Sequence, residues 1–314
     1  ILTSYGVLSA QSVLTIQNFT LDVQGQLTGA NDVVVGGATG NAAGLVLRAS
    51  TPTEAYNFSS LVVQTTGTLK LVPYNDGDNG DYNNDAPIEL TVGTMTVASG
   101  GVVHSDALGY TGTNVNGNGP GGGQSGSMPE GYLRGSGGGY GGKGGDGIDH
   151  LNTVYVGGSQ YGQPAYANDL GSAGGAGIVN NEWHPGANGG GAIHLTVNEA
   201  LTVDGRLSAN GQNGTGGNIG TGNGGSGGGS GGSLQIVAQS LAGSGLIAAN
   251  GGSATHGGGG GGGRIVVAFG NFSYTGKFQA HGGIGYNNGE DGTIYGLILP
   301  RSATLNLIGL DWRE

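Results

Sequence analysis

One short unit of β-type sequence recurs along this chain, and any fold has to place every copy. Ile193-His-Leu-Thr-Val197 leads through Leu201-Thr-Val-Asp-Gly205 to Arg206-Leu-Ser-Ala-Asn-Gly211. Leu234-Gln-Ile-Val-Ala238 leads to Gly245-Leu-Ile-Ala-Ala-Asn-Gly-Gly252, and Ile265-Val-Val-Ala-Phe269 leads to Gly276-Lys-Phe-Gln-Ala-His-Gly-Gly283. A shorter copy begins at Ile294-Tyr-Gly-Leu-Ile-Leu299. The unit reads as a strand pair closed by an Asn-Gly turn. Looser versions stand at Leu14-Thr-Ile16 with Leu21-Asp-Val-Gln-Gly25, at Leu61-Val-Val63 with Leu69-Lys-Leu71, and at Leu90-Thr-Val92 with Met95-Thr-Val97.

Alternation such as Leu201, Val203 and Leu207 turns one face inward, and β-branched residues suit a pleated surface. No run has helical periodicity. A single unit buries too little to fold, whereas stacked neighbours share one continuous apolar core. The expected fold class is therefore all-β. Its expected architecture is a β-solenoid, parallel β-helix-like, with glycine-rich insertions at one corner of the stack; a β-sandwich of short hairpins is the competing architecture. The divisions expected are N-terminal β repeats over 1–116, a glycine- and tyrosine-rich insertion over 117–191, and C-terminal β repeats over 192–314.

The inserts are dominated by glycine, which supplies 76 of the 314 residues. They are densest at 117–147, 171–191, 211–232 and 257–263. Such tracts read either as flexible linkers or as extended three-residue-per-turn segments packed side by side, polyglycine-II-like, through their backbones. The second arrangement has to offset a large entropy loss, so it requires nearly every backbone group to be paired. From Leu207 to Gly263 there is no Asp, Glu, Lys or Arg, which favours the packed form and suggests a neutral face suited to close association.

The net charge of −11, with basic residues dispersed from Arg48 to Arg313, argues against nucleic-acid partners. No apolar run reaches the length of a membrane span, so no membrane insertion is expected. Cysteine is absent, which excludes disulfides and thiolate metal sites. Ile1 is not an initiator methionine, as expected of a processed or excised chain.

The densest polar cluster runs from Tyr74 to Asp85. Its Asp76, Asp78, Asp81 and Asp85 are candidate calcium ligands, because hard cations take several carboxylate and carbonyl oxygens. The spacing is not that of an EF-hand, and a solvated acidic turn is the competing reading. Gly144-Gly-Asp-Gly-Ile-Asp-His-Leu-Asn152 matches a single calcium-binding nonapeptide, with Asp146 and Asp149 as its acids. Sequons place candidate glycosylation at Asn18, Asn57, Asn213 and Asn271, although chance supplies about as many in a chain this rich in Asn, Ser and Thr. The six histidines show no metal-ligand spacing, and His104-Ser105-Asp106 would point its neighbours to opposite faces of a strand. No catalytic residues and no cofactor other than calcium are assigned. Tyr132, Tyr140, Tyr155, Tyr161 and Tyr166 lie in or beside the glycine-rich middle. They read either as rings covering glycine backbone or as a recognition surface.

The run Gly257 to Gly263 followed by Arg264-Ile-Val-Val267, the preceding Ala249-Asn-Gly-Gly252 and the later Asp291-Gly-Thr-Ile-Tyr295 resemble the glycine-rich repeat modules of large secreted surface proteins. These are adhesin-like proteins of bacteria and cell-surface or flagellar-hair proteins of protists. The resemblance spans about residues 190–299. It implies a secreted, cell-surface, non-catalytic module. The leading expectation is an extracellular structural or filament-forming subunit that packs against copies of itself or other surface proteins. An adhesin or carbohydrate-binding module recognising glycans is the alternative, and a polysaccharide-active β-helix enzyme the third.

Overall fold

The computed structural model describes residues 1–76, 82, 84–126, 131–179, 181–219, 222–299 and 310–311. Every element in them is a strand, as the alternating pattern requires. The first nine are β1 (Leu2–Ser4), β2 (Leu8–Ile16), β3 (Thr20–Val23), β4 (Leu27–Val35), β5 (Ala43–Arg48), β6 (Ala55–Val63), β7 (Gly67–Val72), β8 (Ile88–Val97) and β9 (Val102–His104). Short strands follow in the glycine-rich middle: β10 (Leu133–Arg134), β11 (Gly147–Asp149), β12 (Val154–Tyr155), β13 (Gly177–Val179) and β14 (Glu182–His184). The rest are β15 (Ala192–Val203), β16 (Arg206–Ser208), β17 (Gly216–Ile219), β18 (Gly222–Gly225), β19 (Ser233–Gly243), β20 (Leu246–Ala248), β21 (Arg264–Tyr274), β22 (Lys277–Gln279), β23 (Thr293–Ile298) and β24 (Leu310–Asp311).

Successive long strands alternate between two sheets. One runs β1-β3-β5-β7-β9-β16-β20-β22, and the other β2-β4-β6-β8-β15-β19-β21-β23-β24. All pairings in both are parallel except the terminal β23–β24. Hydrogen-bonded neighbours are thus never consecutive in sequence within these parallel pairs, unlike the strands of hairpins. The inward faces of the two sheets meet in one core, with Leu21, Leu45, Leu69, Val103, Leu207 and Ile247 from the first and Val33, Leu61, Met95, Leu201 and Leu241 from the second. Rows of like residues stack through it: Ile193, Leu234, Ile265 and Ile294 occupy one register. Strand β8 pairs directly with β15, and β9 with β16, so both sheets pass across the long insertion without interruption.

Two sequence expectations are corrected. Residues 193–197 and 201–203, read as separate strands, are two parts of β15, separated by a register shift at Val197/Ala200. Likewise 90–92 and 95–97 are both in β8, so Leu61 stands beside Met95, while Leu90 stands beside Tyr56 and Leu195. Asn210-Gly211 closes no hairpin either. Asp106 Oδ1 accepts the N–H of Asn210 at 2.7 Å, Asn210 Oδ1 that of Asn250 at 2.8 Å, and Asn250 Oδ1 that of His281 at 2.8 Å. The recurring asparagine is a ladder running across adjacent copies, satisfying backbone donors where the chain leaves the sheet.

Candidate functional site

Beside the two long sheets the glycine tracts form a second packing unit, built mostly of extended segments outside any strand. Its logic is clearest in residues 225–233, which lead into β19. The N–H groups of Ser226, Gly229 and Gly232 donate to the carbonyls of Thr215, Gln212 and Ala209 at 2.7, 3.0 and 2.8 Å. Those of Gly227 and Ser230 donate to Gly175 and Ser172, and those of Gly228 and Gly231 to Gly258 and Gly261, all at 2.9 Å. Every third donor therefore faces the same neighbouring segment, the signature of an extended helix with three residues per turn. The carbonyls of Gly225 and Gly228 accept from Gly135 and Gly138, those of Gly227 and Ser230 from Ala187 and Gly190, and that of Gly229 from Gly252. Segment 225–233 is thus bonded on all sides.

The same period holds in 257–263, whose donors at Gly258 and Gly261 reach Gly135 and Gly138, at Gly259 and Gly262 reach Asn287 and Glu290, and at Gly260 and Gly263 reach Gly252 and Ala249. Backbones approach this closely only without Cβ atoms. A Cβ on Gly260 would lie 2.0 Å from the Gly229 carbonyl oxygen. These glycines are buried, which explains the absence of charge from Leu207 to Gly263: the stretch is neutral because much of it is interior. The lateral backbone bonds of these segments are used within the chain.

At the end of this glycine bundle next to the sheets sits a polar and aromatic node. Tyr140, fully buried, bonds Ser233 Oγ at 2.7 Å, and Ser233 Oγ donates to the Asp169 carbonyl at 2.6 Å. Tyr161 packs on Tyr140 with ring centroids 4.8 Å apart, and its hydroxyl donates to the Leu170 carbonyl. Arg264 lies over the Tyr140 ring at 5.1 Å. Burial pushes both phenols well above the ordinary tyrosine range, and burial also raises the Asp169 carboxyl against the opposing pull of Arg264. Of the middle tyrosines, Tyr140 and Tyr161 stand close to Gly162 and Gly121, where a Cβ would lie 3.5 and 3.0 Å from their rings, while Tyr166 is exposed.

At the far end the glycine segments give way to loops and the small sheet β12-β11-β10-β13-β14, to which β18 and β17 attach. Here Val115, Leu151, Val154, Trp183, Ile284 and Tyr286 are exposed, Ile284 to 71% and Trp183 to 40%. They come from four separate segments, with Val154 on β12 and Trp183 on β14. Ala176 N bonds the Val115 carbonyl, Ala254 N the Ile284 carbonyl and Tyr286 N the Gly257 carbonyl, which fixes those loops to the bundle. Arg134 sits 5.2 Å from the Tyr132 ring centroid and 4.6 Å from that of Tyr286, and Tyr132 packs edge-on against His150. His256 lies close by; burial first, and then the Arg134 charge, hold its imidazole below the usual range.

The residues singled out in the sequence are dispersed. Asp76 N donates to Asp85 Oδ1 at 3.1 Å, so these two candidate calcium ligands are brought together; Asp78 and Asp81 lie outside the described residues. Asp146 is paired with Lys143 at 3.3 Å and accepts the Gly157 N–H at 2.8 Å. Asp149 is buried and closes its own turn, Oδ1 accepting from Leu151 and Thr153 and Oδ2 from Tyr155. Burial works against its ionisation, but these donors outweigh it and hold the carboxyl below the usual range. Among the described residues no three His, Asp or Glu side chains converge. Asn18, Asn57, Asn213 and Asn271 are all exposed, and Asn213 Oδ1 also accepts the Ser253 N–H at 2.8 Å. His104 Nδ1 and Asp106 Oδ2 stand 3.9 Å apart, with Arg206 3.3 Å from the same carboxylate; burial chiefly holds His104 below its usual range.

The far loops were not legible in the sequence as one surface, because their apolar residues are scattered between 115 and 286. The only signal was that exposed-type aromatics interrupt tracts otherwise made of glycine. Comparison with protein-family models, curated proteins and solved structures finds no match for this chain.

Proposed function

We propose that the chain is a β-solenoid whose glycine inserts form a polyglycine-II bundle, and that this framework is a secreted, non-catalytic adhesive module displaying binding loops at the far end of the bundle. The observation that carries the reading is the set of exposed aliphatic and aromatic side chains at that end, Trp183 on β14 and Tyr286 and Ile284 on a loop among them. Exposed apolar groups gathered at one place mark interaction sites, and aromatic rings offer contact area at small entropic cost. Loops tied to a fully bonded bundle lose little further freedom on binding, so more of the contact energy appears as affinity. Glycans are the partner that such rings suit, by stacking against sugar faces. The resemblance of residues 190–299 to glycine-rich surface modules agrees with this reading.

The test is binding of the intact protein to a glycan array and to cell surfaces, repeated with Trp183→Ala and Tyr286→Ala together. The expected result is a loss of binding of about tenfold or more with an unchanged melting temperature. Undiminished binding by the double variant would overturn the assignment of the loops.

A second reading, a subunit that associates with its own copies, is favoured by one feature. Residues 1–21 carry no charged side chain, and Leu2, Tyr5, Val7 and Val13 there are exposed. Edge strands of this kind lack the charges that usually discourage pairing between molecules. Sedimentation showing one monomeric species at high concentration would remove that reading.

A further inference from the structure

At the opposite end of the bundle from the aromatic loops, a cleft of about 760 Å³ opens where the last repeat meets the loop carrying Gln160 and Pro164. Its lining includes Arg264, Phe278, His281, Glu290, Asp291 and Tyr295. Arg264 is only 3% exposed. One terminal nitrogen donates to the Tyr161 carbonyl at 2.6 Å and the other to Thr293 Oγ1 at 3.2 Å, but its Nε has no hydrogen-bond partner. It stands in no ion pair among the described residues. The Nε is enclosed, so what Arg264 contributes to the cleft is its positive charge rather than a free donor.

The acids around it are differently placed. Asp291 is exposed, 3.6 Å from His281, and its Oδ1 accepts the Gly282 N–H at 2.8 Å. Glu290 Oε2 lies 3.5 Å from Gln160 Nε2 and 3.4 Å from Lys143 N. The cleft thus offers acceptors from its two carboxylates, a donor from the Gln160 amide, and the rings of Phe278 and Tyr295. An anion is repelled by Glu290 and Asp291, and a cation by Arg264. A sugar hydroxyl both donates and accepts, so an uncharged polyhydroxyl ligand can use both sets at once while its ring packs on an aromatic face.

We propose that this cleft is a binding site for an uncharged saccharide, separate from the far loops. The test is saturation-transfer NMR and titration of the intact protein with the methyl glycosides of glucose, galactose and mannose, alongside the glucuronide and the glucosaminide. At least one neutral glycoside is expected to bind, with the charged analogues at least about tenfold weaker. Asp291→Asn and Tyr295→Ala should each weaken it by about tenfold, while Trp183→Ala leaves it unchanged. Absence of any neutral glycoside binding overturns the proposal, as does tighter binding of a charged analogue. Loss of binding in Trp183→Ala but not in Asp291→Asn also overturns it, and assigns the sugar to the far loops instead. Asp291→Asn keeps the shape of an exposed side chain, so this arm is independent of whether Tyr295→Ala folds.

Discussion

Replacing Gly228 with alanine isolates the packing of the glycine bundle from everything else in the protein. A Cβ at this position lies 2.0 Å from the Gly252 carbonyl oxygen, 2.7 Å from its carbon and 3.0 Å from Gly260 N. All three are backbone atoms, so no side chain can swing away, and the segments must part by about 1.4 Å to reach ordinary contact. Gly252 O accepts from Gly260 at 2.9 Å, and Gly228 itself donates to Gly258 and accepts from Gly138, both at 2.9 Å. Parting of that size breaks about two of these buried bonds, at about 1–3 kcal/mol each where water cannot replace them. Alanine returns about 0.4–1 kcal/mol by restricting the unfolded chain. The net loss is therefore about 3 kcal/mol. At about 2 °C per kcal/mol for a chain of this size, the melting temperature falls by about 6 °C. Gly6→Ala is the control, because nothing lies within 4 Å of a Cβ there; it should shift the melting temperature by less than about 1 °C. Differential scanning calorimetry of the two variants decides. Equal melting temperatures for Gly228→Ala and Gly6→Ala would refute close lateral packing.

Two further outcomes follow from the same structure. Asn250→Ala removes the acceptor for the His281 N–H and should cost about 1–2 kcal/mol in urea unfolding, whereas Asn57→Ala, exposed on β6, should cost less than about 0.5 kcal/mol. Burial raises the phenols of Tyr56, Tyr140, Tyr161 and Tyr274, the last to about 12. The folded chain keeps protons that the unfolded chain releases near pH 10, so their contribution is full below pH 10 and is lost as the pH rises toward 12 and beyond. The urea midpoint should fall between pH 9 and pH 11 while phenolate absorbance of the folded protein lags behind that of free tyrosine; a constant midpoint would contradict the assignment.

The strands were legible because burial imposes a period on them. The residues that mark each copy in the sequence, Ile193, Leu234, Ile265 and Ile294, are register neighbours in the sheet. The pattern was harder to read where one strand is long and irregular: the register shift in β15 makes its two parts look like partners. It was missed where the spacing varied, as at Val33–Val35 and Leu45–Leu47, which supply a full repeat of their own to the core. The ladder from Asp106 through Asn210 and Asn250 to His281 hid behind the usual meaning of Asn-Gly as a hairpin turn. Glycine carries no side chain to reveal its neighbours, so the three-residue period of residues 225–233 is visible in their hydrogen bonds but not in their letters. The exposed tip was beyond reach for a related reason. Which loops share an end depends on the direction of each glycine segment, and neither Val115 nor Tyr286 announces it.

Amide hydrogen exchange across the glycine segments tests the central claim most directly. If residues 225–233 and 257–263 are interior, bonded rods, their amides exchange as slowly as those of Leu195 and Ile236 in the sheet, and far more slowly than those of exposed Gly162, Gln163 and Ala165. Exchange of the glycine amides within seconds, at the rate of an unstructured chain, would show that these tracts are linkers after all and would remove the framework on which the binding loops are argued to stand.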